Sequence, residues 1–233
     1  MRETPVVNTR LPVLPLRDEL FLIGHDDDTG RPHLHRQALA AGLAGATLID
    51  LFLTGRVRLD PTDTDLPAPE QRLYLHTHQP VGDLIADAAL TTLRHTLGAP
   101  PLKTWLRGFT DDLYERTRAG LVTAGILRQH HHRRLGGLFR IDTWLITHTR
   151  WAVVPRARLC YLAAGREPPT NHTAALAGLV AVLGLTPHLY LDADTATLAA
   201  RLRAVAARHH PTVQAITTAV DAAIGDLATA TYR

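Results

Sequence analysis

The stretch from Gly24 to His35, GHDDDTGRPHLH, gathers residue types that hold metals and handle phosphates: three consecutive aspartates between histidines. A calcium loop of the EF-hand kind needs carboxylates at its first, third and fifth positions, glycine at the sixth and glutamate at the twelfth. Counted from Asp26, those last three positions hold Gly30, Arg31 and Gln37, so the spacing fails. His25, His33 and His35 supply neither a helix-spaced pair nor a cysteine partner for a transition metal. The favoured reading is a solvated turn whose aspartates accept hydrogen bonds from nearby backbone N–H groups. A metal-dependent hydrolase built on His25, Asp26 and Asp28 is the alternative.

A second candidate is RQHHHRRLGGLF. Neighbours on a strand point to opposite faces, so of the three histidines only His130 and His132 could share one. Arg128, Arg133, Arg134 and Arg140 stand beside Leu135, Leu138 and Phe139, a mixture suited to a lipid headgroup region, where cations meet phosphates and apolar side chains enter the interface. The other reading is a solvated hairpin tip. Between Arg116 and Arg158 the chain carries nine arginines against the single acid Asp142, which favours an anion-binding face. Asp50 sits within the most apolar stretch, LIDLFL. Burial could raise its pKa for proton chemistry, or it could cap a neighbouring helix or pair with an arginine. A Gly-rich phosphate loop, a serine elbow and a Cys–His signature are all missing from the sequence. Neither an enzyme nor a cofactor is expected.

The elements that must position these residues follow from composition and periodicity. Of 233 residues 45% are hydrophobic and only 5% aromatic, so the core must be aliphatic and carried on helices. Lys103 is the only lysine. The arginine and alanine bias is that of a GC-rich genome, which points to a bacterial source. Cys160 stands alone, cannot form an internal disulfide, and is expected as a small core residue in a reducing compartment. No signal sequence or uninterrupted apolar run of about 20 residues is seen, so the protein is expected in the cytoplasm with any membrane contact peripheral.

LPLRDELFLIG reads as a helix closed by Gly24, and HLHRQALAAGLAGATLIDLFLTGR as a long, central, nearly all-buried helix. RVRLD and QRLYLHT read as paired strands, GDLIADAALTTLRHTL as an amphipathic helix, and Leu102 to Ala124 as one helix or two. ILRQHHHRRLGGLFRIDTWLI reads as a hairpin, followed by four more helices. The predicted class is mainly α, a compact helical bundle with small β-hairpins, comprising a tail over 1–10 and one domain over 11–233. Helix, glycine, strand occurs twice, the outline of a winged helix, but nucleic acid is not the expected partner.

This order of elements, with LPLRDELFLIGHDDDTG, ALAAGLAGATLIDLFLTGRVRLD, QPVGDLIADAAL and LVTAGIL, resembles the Golgi phosphoprotein 3 family. The resemblance implies a mostly helical, non-enzymatic, peripherally membrane-associated protein acting in trafficking or membrane-protein retention. It further implies binding of anionic lipid, phosphatidylinositol 4-phosphate in the eukaryotic members, and a hairpin that inserts into membranes and forms homo-oligomers. The family's four pocket positions fall at His35, Ala44, Asp111 and Tyr114, where its tryptophan and basic residues are absent. The expected anion site is therefore His35, Arg36, Arg116 and Arg118, with Arg133, Arg134, Leu135, Leu138 and Phe139 as the membrane-contact hairpin. Partners would be anionic lipid and membrane-protein or enzyme clients. A protein–protein adaptor with incidental lipid binding is the second reading.

Overall fold

The computed structural model describes residues 13–134, 139–189 and 194–230, with the backbone alone at 132–134, 139–141, 228 and 230. The chain is mostly helical, with two small antiparallel strand pairs. Helix α1 (Leu16–Ile23) starts after Pro15, carries Asp18 and Glu19 in its first turn, where the helix dipole favours acids, and ends at Gly24. Helix α2 (Arg36–Leu53) begins three residues later than the end of HDDDTGRP suggests, because the His35 side chain accepts from the Gln37 amide and caps it. It is long and apolar enough to cross a membrane, yet two-thirds of it is buried inside the fold, so it is the central core helix.

Small residues let the other helices close on α2. A Cβ added at Gly45 would lie 2.4 Å from Val220 Cγ2, and one at Gly42 would lie 2.6 Å from Leu183 Cδ1. The AAGLAG stretch thus has a packing reason: it is where two later helices approach the backbone of α2.

Strands β1 (Val57–Leu59) and β2 (Leu73–Leu75) pair antiparallel. Helix α3 (Leu84–His95) is capped by Asp83, which accepts from the amides of Ile85 and Ala86. The segment from Leu102 resolves into two helices, α4 (Leu102–Gly108) and α5 (Leu113–Thr123), with Asp112 between them at φ 55°. Strands β3 (Leu127–Arg134) and β4 (Phe139–Ile146) run antiparallel in register from Leu127 opposite Ile146 to Arg134 opposite Phe139. Helices α6 (Arg150–Ala163), α7 (Asn171–Val182), α8 (Thr195–His209) and α9 (Pro211–Ala230) complete the chain. α7 opens on a Thr170–Thr173 capping box, and α9 on Pro211, whose missing N–H costs nothing at a first turn.

One aliphatic cluster runs from Leu16 to Val220 and draws on all of these layers. Cys160 departs from expectation: it lies on α6 only partly buried.

Candidate functional site

The loop between α1 and α2 is a connector with two anchors. Asp26 folds it locally, accepting from the amide and hydroxyl of Thr29 at 2.8 and 2.7 Å. Asp27 reaches inward to Arg156 of α6, which donates to both its oxygens at 2.9 to 3.1 Å and to the carbonyls of Leu22 and His25. Among the described residues no group of three or more histidines, cysteines or acids is placed to hold a metal.

Gly30 then brings the loop against β4. Its φ is +64°, and a Cβ there would fall 2.3 Å from the Trp144 carbonyl oxygen. Only glycine satisfies both the left-handed conformation and the approach. The loop, α5 and the base of the hairpin are thereby fixed as one surface.

Two cations stand on that surface. Arg36, in the first turn of α2, lies with its guanidinium 5.0 Å from the centre of the Tyr114 ring. Arg118 of α5 lies 3.7 Å from the centre of the Trp144 ring. Glu115 joins them, 3.4 Å from Arg36 and in contact with Arg118 one helical turn away. Arg36 is well exposed and Arg118 only partly so.

Behind them Tyr114 is buried, and His25 Nε2 meets its hydroxyl at 2.7 Å while His25 Nδ1 faces the Phe21 carbonyl at 2.6 Å. Nδ1 must therefore donate, leaving Nε2 to accept from the phenol. Burial lowers the His25 pKa to about 4, so the ring is neutral at ordinary pH. Burial also pushes the Tyr114 phenol upward. The Phe21 ring stacks on His25 at 4.1 Å, which fixes the platform under Arg36.

The four predicted anion-site residues are thus distributed unequally. Arg36 and Arg118 are brought together through Glu115. His35 is adjacent in the chain, but its Nδ1 faces the Gln37 amide at 3.3 Å. Arg116 is exposed and two residues from Arg118, so about 200° of helix rotation sends it to the other side of α5. Of the hairpin residues, Arg133 pairs through its backbone with Arg140 and Arg134 with Phe139. Leu135 and Leu138 lie outside the described residues. Nearer the base, His131 Nδ1 meets Asp142 at 2.6 Å across the strands.

The family pocket positions are also placed. Ala44 is fully buried in the core face of α2. Asp111 borders a separate groove of about 440 Å³ between α2, the α4–α5 junction and α9. Asp112 and Asp226 line it too, and Arg107 with Lys103 is spent on Asp226. An anion there would meet carboxylates.

Sequence reasoning did not single out Glu115 or Trp144, and took Asp27 and Arg156 only as members of the aspartate run and of the arginine-rich block. The Glu115–Arg118 spacing was a readable signal; the pairing of Asp27 with Arg156, 129 residues apart, left none.

Comparison with known proteins agrees with this architecture. A model described as Golgi phosphoprotein 3 (GPP34) matches residues 16–223. Among curated relatives, a vacuolar protein sorting-associated protein 74 from Eremothecium gossypii is 28% identical over 138 residues, 52% of this chain and 41% of that protein. The chain thus aligns with about two-fifths of that relative's length. With the family match running from α1 into α9, the chain belongs to the Golgi phosphoprotein 3 family.

Proposed function

We propose that this chain is a non-enzymatic peripheral membrane protein that binds anionic lipid headgroups through the face bearing Arg36 and Arg118 and acts in membrane trafficking or membrane-protein retention. The observation that carries the reading is the placement of both guanidiniums on aromatic rings beside the N-terminus of α2, at the base of an arginine-rich hairpin. Aromatic faces hold the cations in position without neutralising them. The first turn of α2 adds unpaired N–H groups and the positive end of its dipole.

Glu115 offsets one of the two charges, so this face alone is a weak anion site. The remaining attraction comes from the hairpin, where Arg133, Arg134, Leu135, Leu138 and Phe139 would enter the interface, while Arg116 lies on the other side of α5. Each arginine near an anionic surface is worth roughly 1 kcal/mol. His35 borders the face and leaves an imidazole where the family pocket has a tryptophan. Phosphatidylinositol 4-phosphate is the headgroup proposed on family membership. With Asp111 and Asp112 in the neighbouring groove, it would sit on the Arg36 side.

Liposome flotation tests this. Vesicles carrying phosphatidylinositol 4-phosphate or another anionic lipid should float the protein, and neutral phosphatidylcholine vesicles should not. Replacing Arg133, Arg134 and Phe139 together should weaken flotation while the fold persists. Equal flotation with neutral and anionic vesicles, or none with either, would contradict the reading. Retention of membrane-protein or enzyme clients rests on family membership. It predicts stoichiometric partners in pulldowns from native membranes.

A further inference from the structure

At the opposite end of α2 lies a cavity of about 310 Å³ that the lipid reading does not use. Leu14, Pro15, Leu51, Val81 and Ala86 form its aliphatic wall. Polar groups enter from Asp50, Thr47 and Thr54 of α2, from Arg17 of α1, from Asp83 and from His172 of α7.

Most of these polar groups are already occupied. Arg17 donates to both oxygens of Asp83 at 2.9 Å and to Asp18 at 3.0 Å. Asp83 is also taken by the amides of Ile85 and Ala86. The hydroxyls of Thr47 and Thr54 donate to the carbonyls of Leu43 and Asp50, both at 2.8 Å. His172 Nε2 meets Glu19 at 2.9 Å, and Arg158 closes on the other oxygen of Glu19.

Asp50 is the exception. Its Oδ2 accepts from the Leu16 amide at 2.9 Å, and its Oδ1 has no partner among the described residues. The cavity wall therefore offers a carboxylate oxygen and lacks a donor for it.

Charge selects the sign of the missing donor. Of the charged groups in the lining, Arg17 is spent on Asp83 and Asp18 and His172 faces Glu19, which leaves Asp50 as the carboxylate without a cationic partner among the described residues. The last turn of α2 adds the negative end of a helix dipole. An anionic ligand would meet repulsion from Asp50 and the helix end, whereas a cation would relieve it.

We propose that this cavity is a binding site for a small primary ammonium on a short aliphatic stem, with the ammonium donating to Asp50 Oδ1 and the stem lying against Leu51, Val81 and Ala86. At about 30 Å³ for one water in the liquid, the space holds a stem of about four to six carbons. Thr54, beside Asp50, marks the mouth. The site is independent of the lipid-binding face.

Burial raises the Asp50 carboxyl to about 6, which gives the binding a pH signature. An ammonium favours the ionised carboxylate, so binding draws a proton off Asp50 in mildly acidic solution and is about tenfold weaker near pH 5 than near pH 8. The charged groups that act on Asp50 are Arg17, Asp18 and His172, with Asp83 also in the lining and Glu19 on the far side of His172. Protonation of Asp18 or Asp83 at lower pH removes attraction for a cation, in the same sense as protonation of Asp50.

Titration of the ¹⁵N-labelled full chain with 3-methylbutylamine tests the site, with 3-methylbutan-1-ol as the isosteric neutral control. The amine should shift the amides of Leu16, Asp50, Thr54 and Val81 with a millimolar dissociation constant. The alcohol should bind at least tenfold more weakly. Asp50→Asn keeps an oxygen for the Leu16 amide and should fold, yet lose the preference for amine over alcohol. Equal shifts from amine and alcohol in the wild-type chain, no shifts at those amides, or unchanged amine affinity in folded Asp50→Asn would overturn the proposal. The wild-type comparison stands whether or not the variant folds.

Discussion

The two ends of α2 present opposite chemistry on one helix. At its N-terminus, Arg36 sits over Tyr114, with Arg118 joined to it through Glu115. At its C-terminal end Asp50 faces a cavity with an aliphatic wall, and the one cation there among the described residues, Arg17, is spent on Asp83 and Asp18. The helix dipole runs in the sense of both sites, favouring anions at the first and cations at the second. The difference lies in solvent access and in what packs alongside. The basic end is an exposed surface whose cations rest on aromatic rings. The acidic end is an aliphatic pocket where α1 supplies one amide to a half-buried acid. An exposed charge cluster is cheap to hold and weak alone, whereas a buried one costs stability and is selective.

That contrast can be broken at its supports. The largest effect is expected from Arg156→Ala, which strands Asp27 and empties the anchor behind the basic face. Arg156 is buried and Asp27 only partly so, and breaking the pair costs about 3 kcal/mol, the low end for a buried pair, measurable by urea denaturation. Gly30→Ala should cost about 2–4 kcal/mol, since a Cβ at φ +64° and 2.3 Å from the Trp144 carbonyl forces the loop off β4. It should also weaken vesicle binding, because the loop and hairpin base no longer form one surface.

Acid distinguishes the two ends by sign. His25 is held neutral in the fold, at about 4 against an ordinary 6.5, so the unfolded chain takes up the proton first and stability falls as pH drops from about 6.5 to 4, by about 3 kcal/mol. Asp50 behaves oppositely. Its folded pKa of about 6 lies above the ordinary 3.8, so its contribution is fully present below pH 3.8 and is lost as pH rises through 6. Asp50→Asn should therefore be more stable than the wild type near pH 8 by about 1–3 kcal/mol, with the gap closing toward pH 4 in thermal melts.

The smallest stability changes belong to the basic face itself. Arg36→Ala and Arg118→Ala should each change folding stability by less than about 1 kcal/mol, as exposed ion pairs do, while lowering affinity for anionic vesicles about fivefold. Glu115→Gln should raise that affinity and leave neutral vesicles unbound.

How much of this was legible in the sequence depends on range. Seven of the nine helices identified among the described residues, and both hairpins, announced themselves through periodicity, Gly24, Gly55 and Pro211, because those signals are local, while Leu102 to Ala124 read as one helix or two. Asp50 was readable as a buried acid that caps a neighbouring helix, though not which helix. The α2 start was misplaced because histidine is an uncommon cap. The Arg36–Glu115–Arg118 cluster was half legible. All four anion candidates lay near it in sequence, but only the phase of α5 separates Arg116 from Arg118. Trp144 and Arg156 reach the site through tertiary packing, and no spacing rule announces contacts across more than 100 residues.

The central claim is tested most directly by binding to anionic vesicles across a salt series, comparing the wild-type chain with an Arg36→Ala/Arg118→Ala double variant. The account predicts that the wild type binds and weakens steadily with salt, and that the double variant binds more weakly with a shallower salt dependence while keeping its thermal stability. A double variant that matches the wild type at every salt concentration would contradict it.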